Sequence, residues 1–179
     1  MDENIFQLEM VSVRLVKETP LLSDKPFSSP EDVVEFIGEK LSQMDREVVC
    51  VIHLNNGNMP INCHIASMGA LSYAVVEPRE LFKASFLSNA SSMILVHNHP
   101  SGVLRPSPDD TRLTDRLLQV AGLMGVQLLD HIIVGGNNQE YFSFRSQKLI
   151  SYQSIKYTSD YHALSFDEVG LVAEEGWER

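Results

Sequence analysis

Apolar and polar residues alternate through much of FQLEMVSVRLVK (6–17), a period of two that predicts a β-strand. Proline, serine and aspartate then crowd residues 19–30, a loop that delivers the chain to a helix. The helix start is written at Ser29-Pro30-Glu31-Asp32, with a capping serine and a proline in the first turn. Val33, Ile37, Leu41 and Met44 follow at helical spacing. EVVCVIHL (47–54) is a β-branched run of the kind found in buried strands. Asn55-Asn56-Gly57-Asn58 is a turn signal, and a second strand is expected after it. Further on, the pattern predicts a helix from near Pro78 through RELFKASFLSNA and a short strand over SMILV (92–96). Another helix is expected from Ser107, with Leu113, Leu117, Val120 and Met124 on one face. LLDHIIVGG (128–136) reads as a strand closed by Gly135-Gly136, and EYFSF as a last short strand ending near Phe144.

Strands alternating with helices predict an α/β domain over residues 30–150. Residues 1–29 read as an extension made of one strand and a loop, and 151–179 as an acidic, tyrosine-containing tail of weak periodicity. There is no internal repeat. Among 179 residues, 44% are hydrophobic and 21% charged, an ordinary balance for a globular protein with a core large enough for a cleft. No apolar run approaches the roughly 20 residues that span a bilayer. The acidic start MDENIFQLEM lacks the basic and apolar parts of a signal peptide, so a cytoplasmic protein without membrane contact is expected. Fourteen Lys and Arg against 24 acids give a net charge of −10, which disfavours broad nucleic-acid binding. Cys50 and Cys63 are expected to be reduced thiols rather than a disulfide, and no second Cys–His pair answers Cys63-His64 to build a zinc knuckle.

The segment that changes the picture is HNHPSGVLRPSPDD (97–110). His97 and His99 stand two apart at the end of an apolar strand, so both imidazoles leave the same face. Two nitrogen donors side by side are half of a tetrahedral zinc site. Asp110 is the candidate third ligand, because the Gly/Pro loop is short enough to fold the next helix back over the histidines. Ser107-Pro108-Asp109-Asp110 is also a good helix start in its own right, and Ser29-Pro30-Glu31-Asp32 repeats the pattern with no histidine nearby. Capping and ligation are compatible: the cap uses the serine oxygen, the metal the carboxylate.

His-x-His, seven residues from Pro100 to Pro106, then Ser-x-x-Asp resembles the JAMM (MPN+) metalloprotease signature. The fuller text NASSMILVHNHPSGVLRPSPDDTRLTDRL…LLDHIIVGG, with EPRELFKASFLSNA upstream, resembles the RadC-like branch of that superfamily over roughly residues 30–145. The resemblance implies an MPN (JAB) domain, a mixed β-sheet flanked by helices with cytidine-deaminase-like layering. It implies Zn²⁺ held by His97, His99 and Asp110, Ser107 steadying an oxyanion, and Glu47 as general acid/base. Two departures stand out. Glu77-Pro78-Arg79 replaces an expected His-Pro-Arg, and no counterpart is expected of the helix-hairpin-helix region that precedes the catalytic domain in longer RadC proteins.

The implied activity is that of a zinc-dependent peptidase or isopeptidase acting on a peptide or isopeptide substrate, with homo-oligomerisation possible. A DNA-repair or mobile-element accessory protein is the alternative, and a non-catalytic interaction scaffold a third. Of the remaining histidines, His53 is expected to point off a strand near a turn, His64 to be exposed, and His162 to lie in the tail. His131 is expected to be a hydrogen-bonded core histidine, with Asp130 a candidate to orient a metal-bound histidine.

Overall fold

The computed structural model of the chain describes residues 25–69, 76–135 and 140–151, with Ser12, Leu15, Ser23 and Ser159. The strand expected over 6–17 and the tail with His162 therefore lie outside the described residues, those isolated positions apart.

The first helix, α1, begins at Pro30–Val33, continues through a π-helical stretch Val34–Gly38 and ends with Glu39–Ser42. The wider π turn seats Val33, Val34, Ile37 and Leu41 together against the sheet. Strands β1 (Val48–Leu54) and β2 (Pro60–Met68) form an antiparallel hairpin across the Asn-rich turn. Helix α2 (Pro78–Leu87) ends just before Asn89, which adopts a left-handed φ of 51°. Strand β3 is Ser92–Asn98, helix α3 Pro108–Met124, strand β4 Gln127–Val134 and strand β5 Tyr141–Ser143.

The sheet order is β2-β1-β3-β4-β5. β3 and β4 are parallel and joined through α3, whereas the other pairings are antiparallel. This is a mixed sheet flanked by helices, the architecture expected of a JAB domain. One face packs on α1 through Cys50, Ile52, Leu54, Ile94, Val96, Ile132 and Val134. The other packs on α2 and α3 through Val49, Val51, Met93, Leu95 and Leu128. Every residue of β1 and β3 is buried, which explains why those strands read as continuous β-branched and aliphatic runs rather than alternating ones.

Helix α3 turns most of the expected face inward: Leu117 is fully buried and Leu113 and Val120 pack half-buried against the core. Asp110, Thr114, Leu117 and Ala121 are buried, while Met124 is 52% exposed. The inward stripe thus begins with two polar residues, Asp110 and Thr114, and continues apolar. That stripe places polar side chains at the carboxyl end of β3, where open α/β sheets gather their ligands.

Candidate metal centre

β3 carries His97 on the face covered by α3, and His99 follows at the strand's exit. Loop geometry then returns the chain. The His99 N–H donates to the Val134 carbonyl at 2.9 Å, and the Gly102 N–H to the His99 carbonyl at 2.9 Å. Gly102 sits at φ 76°, a left-handed turn suited to glycine. Gly135 lets this loop lie close, since a Cβ there would stand 3.3 Å from the Gly102 carbonyl oxygen. At the loop's end Ser107 caps α3 through a capping box. The Asp110 N–H donates to Ser107 Oγ at 3.1 Å, and the Ser107 N–H donates to Asp110 Oδ2 at 2.6 Å.

The result is a three-residue cluster. His97 Nε2 lies 2.9 Å from His99 Nε2 and 3.3 Å from Asp110 Oδ1, and His99 Nε2 is 3.5 Å from Asp110 Oδ2. All three residues are buried. Two donors each about 2.0–2.1 Å from a tetrahedral zinc would stand roughly 3.3 Å apart, close to these separations. The donor chemistry fits as well. His99 Nδ1 contacts the Val103 carbonyl, which can only accept, so the proton sits on Nδ1 and the Nε2 lone pair faces the centre. A pair of inward nitrogens beside a carboxylate is a set of converging lone pairs, and it matches a divalent cation. Among the described residues, His97, His99 and Asp110 form the one such group of three.

Electrostatics favour a neutral His97 and an ionised Asp110, while in the metal-free cluster Asp110 draws a proton towards His99. Burial pushes the His97 imidazole down to about 4, against a smaller upward pull from Asp110. His99 is raised, first by its hydrogen bond with Asp110, with Glu47 among the lesser contributors. Burial alone would raise Asp110, but His99, His97 and Ser107 together outweigh it and hold the carboxyl well below its usual range. Near neutral pH the cluster thus offers a carboxylate and an uncharged His97.

Glu47 stands one residue ahead of β1, half-buried. β1 and β3 pair with Val49 opposite His97, so continuing the register carries Glu47 across from His99. Asn98, between the two histidines, points to the opposite face and grips the strand entry. Its Oδ1 accepts from the Val48 N–H at 2.7 Å and its Nδ2 donates to the Arg46 carbonyl at 3.0 Å. The residue between these two peptide groups is Glu47. Sequence reasoning missed Asn98; its clue was a polar side chain at the second position of a buried His-x-His strand end.

Of the lesser expectations, His131 as a hydrogen-bonded core histidine and Cys50 and Cys63 as free thiols hold, and those for Asp130, His53 and His64 change. Asp130 does not orient a histidine side chain: it accepts from the Ser143 hydroxyl at 2.6 Å and from the His131 and Arg145 N–H groups at 2.7 and 3.0 Å. His131, fully buried, touches His97 directly, with Nε2 2.8 Å from His97 Nδ1. His53 does not point off the strand; it is fully buried, with Nδ1 2.6 Å from Asn62 Oδ1, because α2 covers that face of β1. His64 is half-buried rather than exposed. Glu77, the departure from His-Pro-Arg, ties the start of α2 to α3 by accepting from Arg116 Nη2 at 2.7 Å. Cys50 and Cys63 are free thiols with Sγ atoms 2.8 Å apart across the hairpin. No described helix is long and apolar enough to cross a membrane.

Comparison with known proteins agrees with this architecture. The RadC-like JAB domain family matches residues 27–149. A UPF0758 protein of Desulforamulus reducens is 45% identical over 121 residues, covering 68% of this chain and 52% of the relative. One from Rubrobacter xylanophilus is 39% identical over 123 residues, covering 69% and 53%. One from Histophilus somni is 37% identical over 139 residues, covering 78% and 61%. The chain spans about half the length of the first two of these relatives. A family match across the whole described sheet, its flanking helices and the His-His-Asp cluster means that this chain belongs to the RadC-like JAB domain family.

Proposed function

We propose that the domain is a zinc-dependent hydrolase of the metallopeptidase or isopeptidase class, with His97, His99 and Asp110 holding the metal. The observation that carries this reading is the convergence of two inward imidazole nitrogens and one carboxylate within 4.8 Å at the end of β3. Zinc bound there would supply Lewis acidity, making water a competent nucleophile near neutral pH.

The chain's own residues have complementary work. Glu47, across from His99, would take a proton from the attacking water and hand it to the departing amine. The Ser107 oxygen accepts the cap bond from the Asp110 N–H, which leaves its hydroxyl proton available to donate to an oxygen that gains charge. A well-aimed donor of this kind contributes about 2–4 kcal/mol. A peptide or isopeptide is the substrate class that this set of groups suits.

Elemental analysis of the purified protein, alongside His97→Ala and Asp110→Ala, tests the reading. About one zinc per chain, lost in both variants while the fold persists, is expected. Metal that survives both substitutions, or no metal uptake by the wild type from a zinc-containing buffer, would overturn it.

A further inference from the structure

We propose that Thr114 and His131 are positioning residues that fix which nitrogen of His97 faces the metal, through a relay of protons that begins and ends on Asp110. This rests on the zinc reading for its purpose, although the proton order itself is a property of the metal-free chain.

The order follows from counting donors. Thr114 Oγ1 lies 2.7 Å from the Asp110 carbonyl oxygen one helical turn earlier. A carbonyl has no proton, so the hydroxyl donates there. Its proton spent, Thr114 Oγ1 meets His131 Nδ1 at 2.6 Å with lone pairs only, and Nδ1–H must donate. With one proton on the imidazole, His131 Nε2 is then an acceptor. It faces His97 Nδ1 at 2.8 Å, so that nitrogen carries the proton of His97. The lone pair of His97 is thereby left on Nε2, which points at Asp110 Oδ1 and His99. No member of the chain needs a net charge.

Two further features hold the relay still. The His131 ring stacks on Phe144, centroids 4.9 Å apart and planes 4° from parallel. The Phe144 N–H also donates to the His131 carbonyl at 3.0 Å. Thr114, His131 and His97 are each no more than 3% exposed, so water does not compete for their protons. Part of the ligand set is thus written into α3 itself: Asp110 would supply a ligand oxygen from its side chain and sets the His97 tautomer from its carbonyl. Outer partners of metal-bound histidines commonly set ligand orientation and basicity.

The test uses Thr114→Val, which keeps the shape and removes the hydroxyl, and Thr114→Ser, which keeps the hydroxyl. Zinc affinity is read by competition with a chromophoric chelator, and folding by the thermal midpoint of the metal-free proteins. Thr114→Val is expected to weaken zinc about 10–100-fold, with Thr114→Ser close to wild type. Equal affinity in Thr114→Val and wild type would overturn the proposal. So would equal weakening in both variants, which would indicate packing alone. Long-range ¹H–¹⁵N spectra of the metal-free wild type give a second reading, independent of any metal. They should show His97 protonated on Nδ1, and a proton on Nε2 would refute the relay. Failure of the wild type to bind zinc, with the expected tautomer intact, would sink the hydrolase reading and leave the proton order standing.

Discussion

Replacing Asn98 by alanine removes the side chain that clamps the entry of β1 while leaving every proposed ligand in place. The amide orientation is fixed by its partners, because Val48 offers an N–H and Arg46 a carbonyl. Val48 is fully buried, so its N–H would be left without a partner, a loss of about 1–3 kcal/mol. Arg46 is exposed and its carbonyl can turn to water, so that bond is worth only about 0.5–1.5 kcal/mol. Together the substitution should cost about 2–4 kcal/mol, lowering the thermal midpoint by roughly 8–15 °C for a domain of this size. Asn98→Asp sharpens the test. Its carboxylate can still accept from Val48 but faces the Arg46 carbonyl with no proton to give, so near neutral pH it should be no better than alanine. Both variants should retain zinc, since His97 and His99 point to the other face of the sheet. Calorimetry of the metal-free proteins measures the effect. A midpoint within about 2 °C of wild type would refute the clamp, and loss of zinc with the fold intact would refute the separation of faces.

The remaining expectations concern protons and thiols. His97 is depressed to about 4 and His131 is also depressed, so between their ordinary value of 6.5 and about 4 the unfolded chain binds more protons than the folded one. The metal-free domain should therefore be fully stabilised by these two groups above pH 6.5 and lose that stability as the pH falls towards 4. His99, raised by Asp110, acts with the opposite sign: its contribution is present at acid pH and lost as the pH rises through its raised pKa. That loss falls above pH 6.5, and between pH 6.5 and 4 His99 is protonated in both states and offsets nothing, so His97 and His131 each give a slope of up to about 1.4 kcal/mol per pH unit, readable from urea midpoints; a flat profile across that window would contradict it. Cys50 and Cys63 should close to a disulfide under a mild thiol oxidant such as diamide, each thiol giving up its hydrogen. Mass spectrometry after alkylation should find neither thiol labelled, and two labelled cysteines after oxidation would argue against the pairing.

Much of the fold was legible because its strongest signals are local. The β-branched run 48–54 and the aliphatic run 92–96 are strands wherever they are placed, and Ser-Pro followed by acids starts a helix twice. The period of two put His97 and His99 on one face without reference to anything distant. What escaped detection depends on contacts between elements. On α3 the hydrophobic count finds Leu113, Leu117 and Val120 at the core but not Asp110 and Thr114 beside them; only the histidines on β3 and β4 explain why those polar residues turn inward. The role of His131 depends on the parallel register that sets Leu95 beside it, and no sequence period encodes that register. His53 was misplaced for a similar reason, since its burial comes from α2, a helix thirty residues on. The π turn of α1 left no mark in the spacing of Val33, Ile37 and Leu41.

The repeated helix start has a consequence of its own. In α1 and α3 alike, the aspartate's Oδ2 accepts the N-cap N–H, while Oδ1 faces a second partner: Lys25 Nζ at 3.1 Å from Asp32, His97 at 3.3 Å from Asp110. The first helix is moored by a lysine of the chain, always present. The second would be moored by a dissolved ion, present only in proportion to its concentration. Binding and fraying of α3 would then be one equilibrium, so the amides of its opening turn should exchange with solvent more slowly as zinc is added, while those of α1 keep their rate. Metal availability would be recorded in the dynamics of a single helix end.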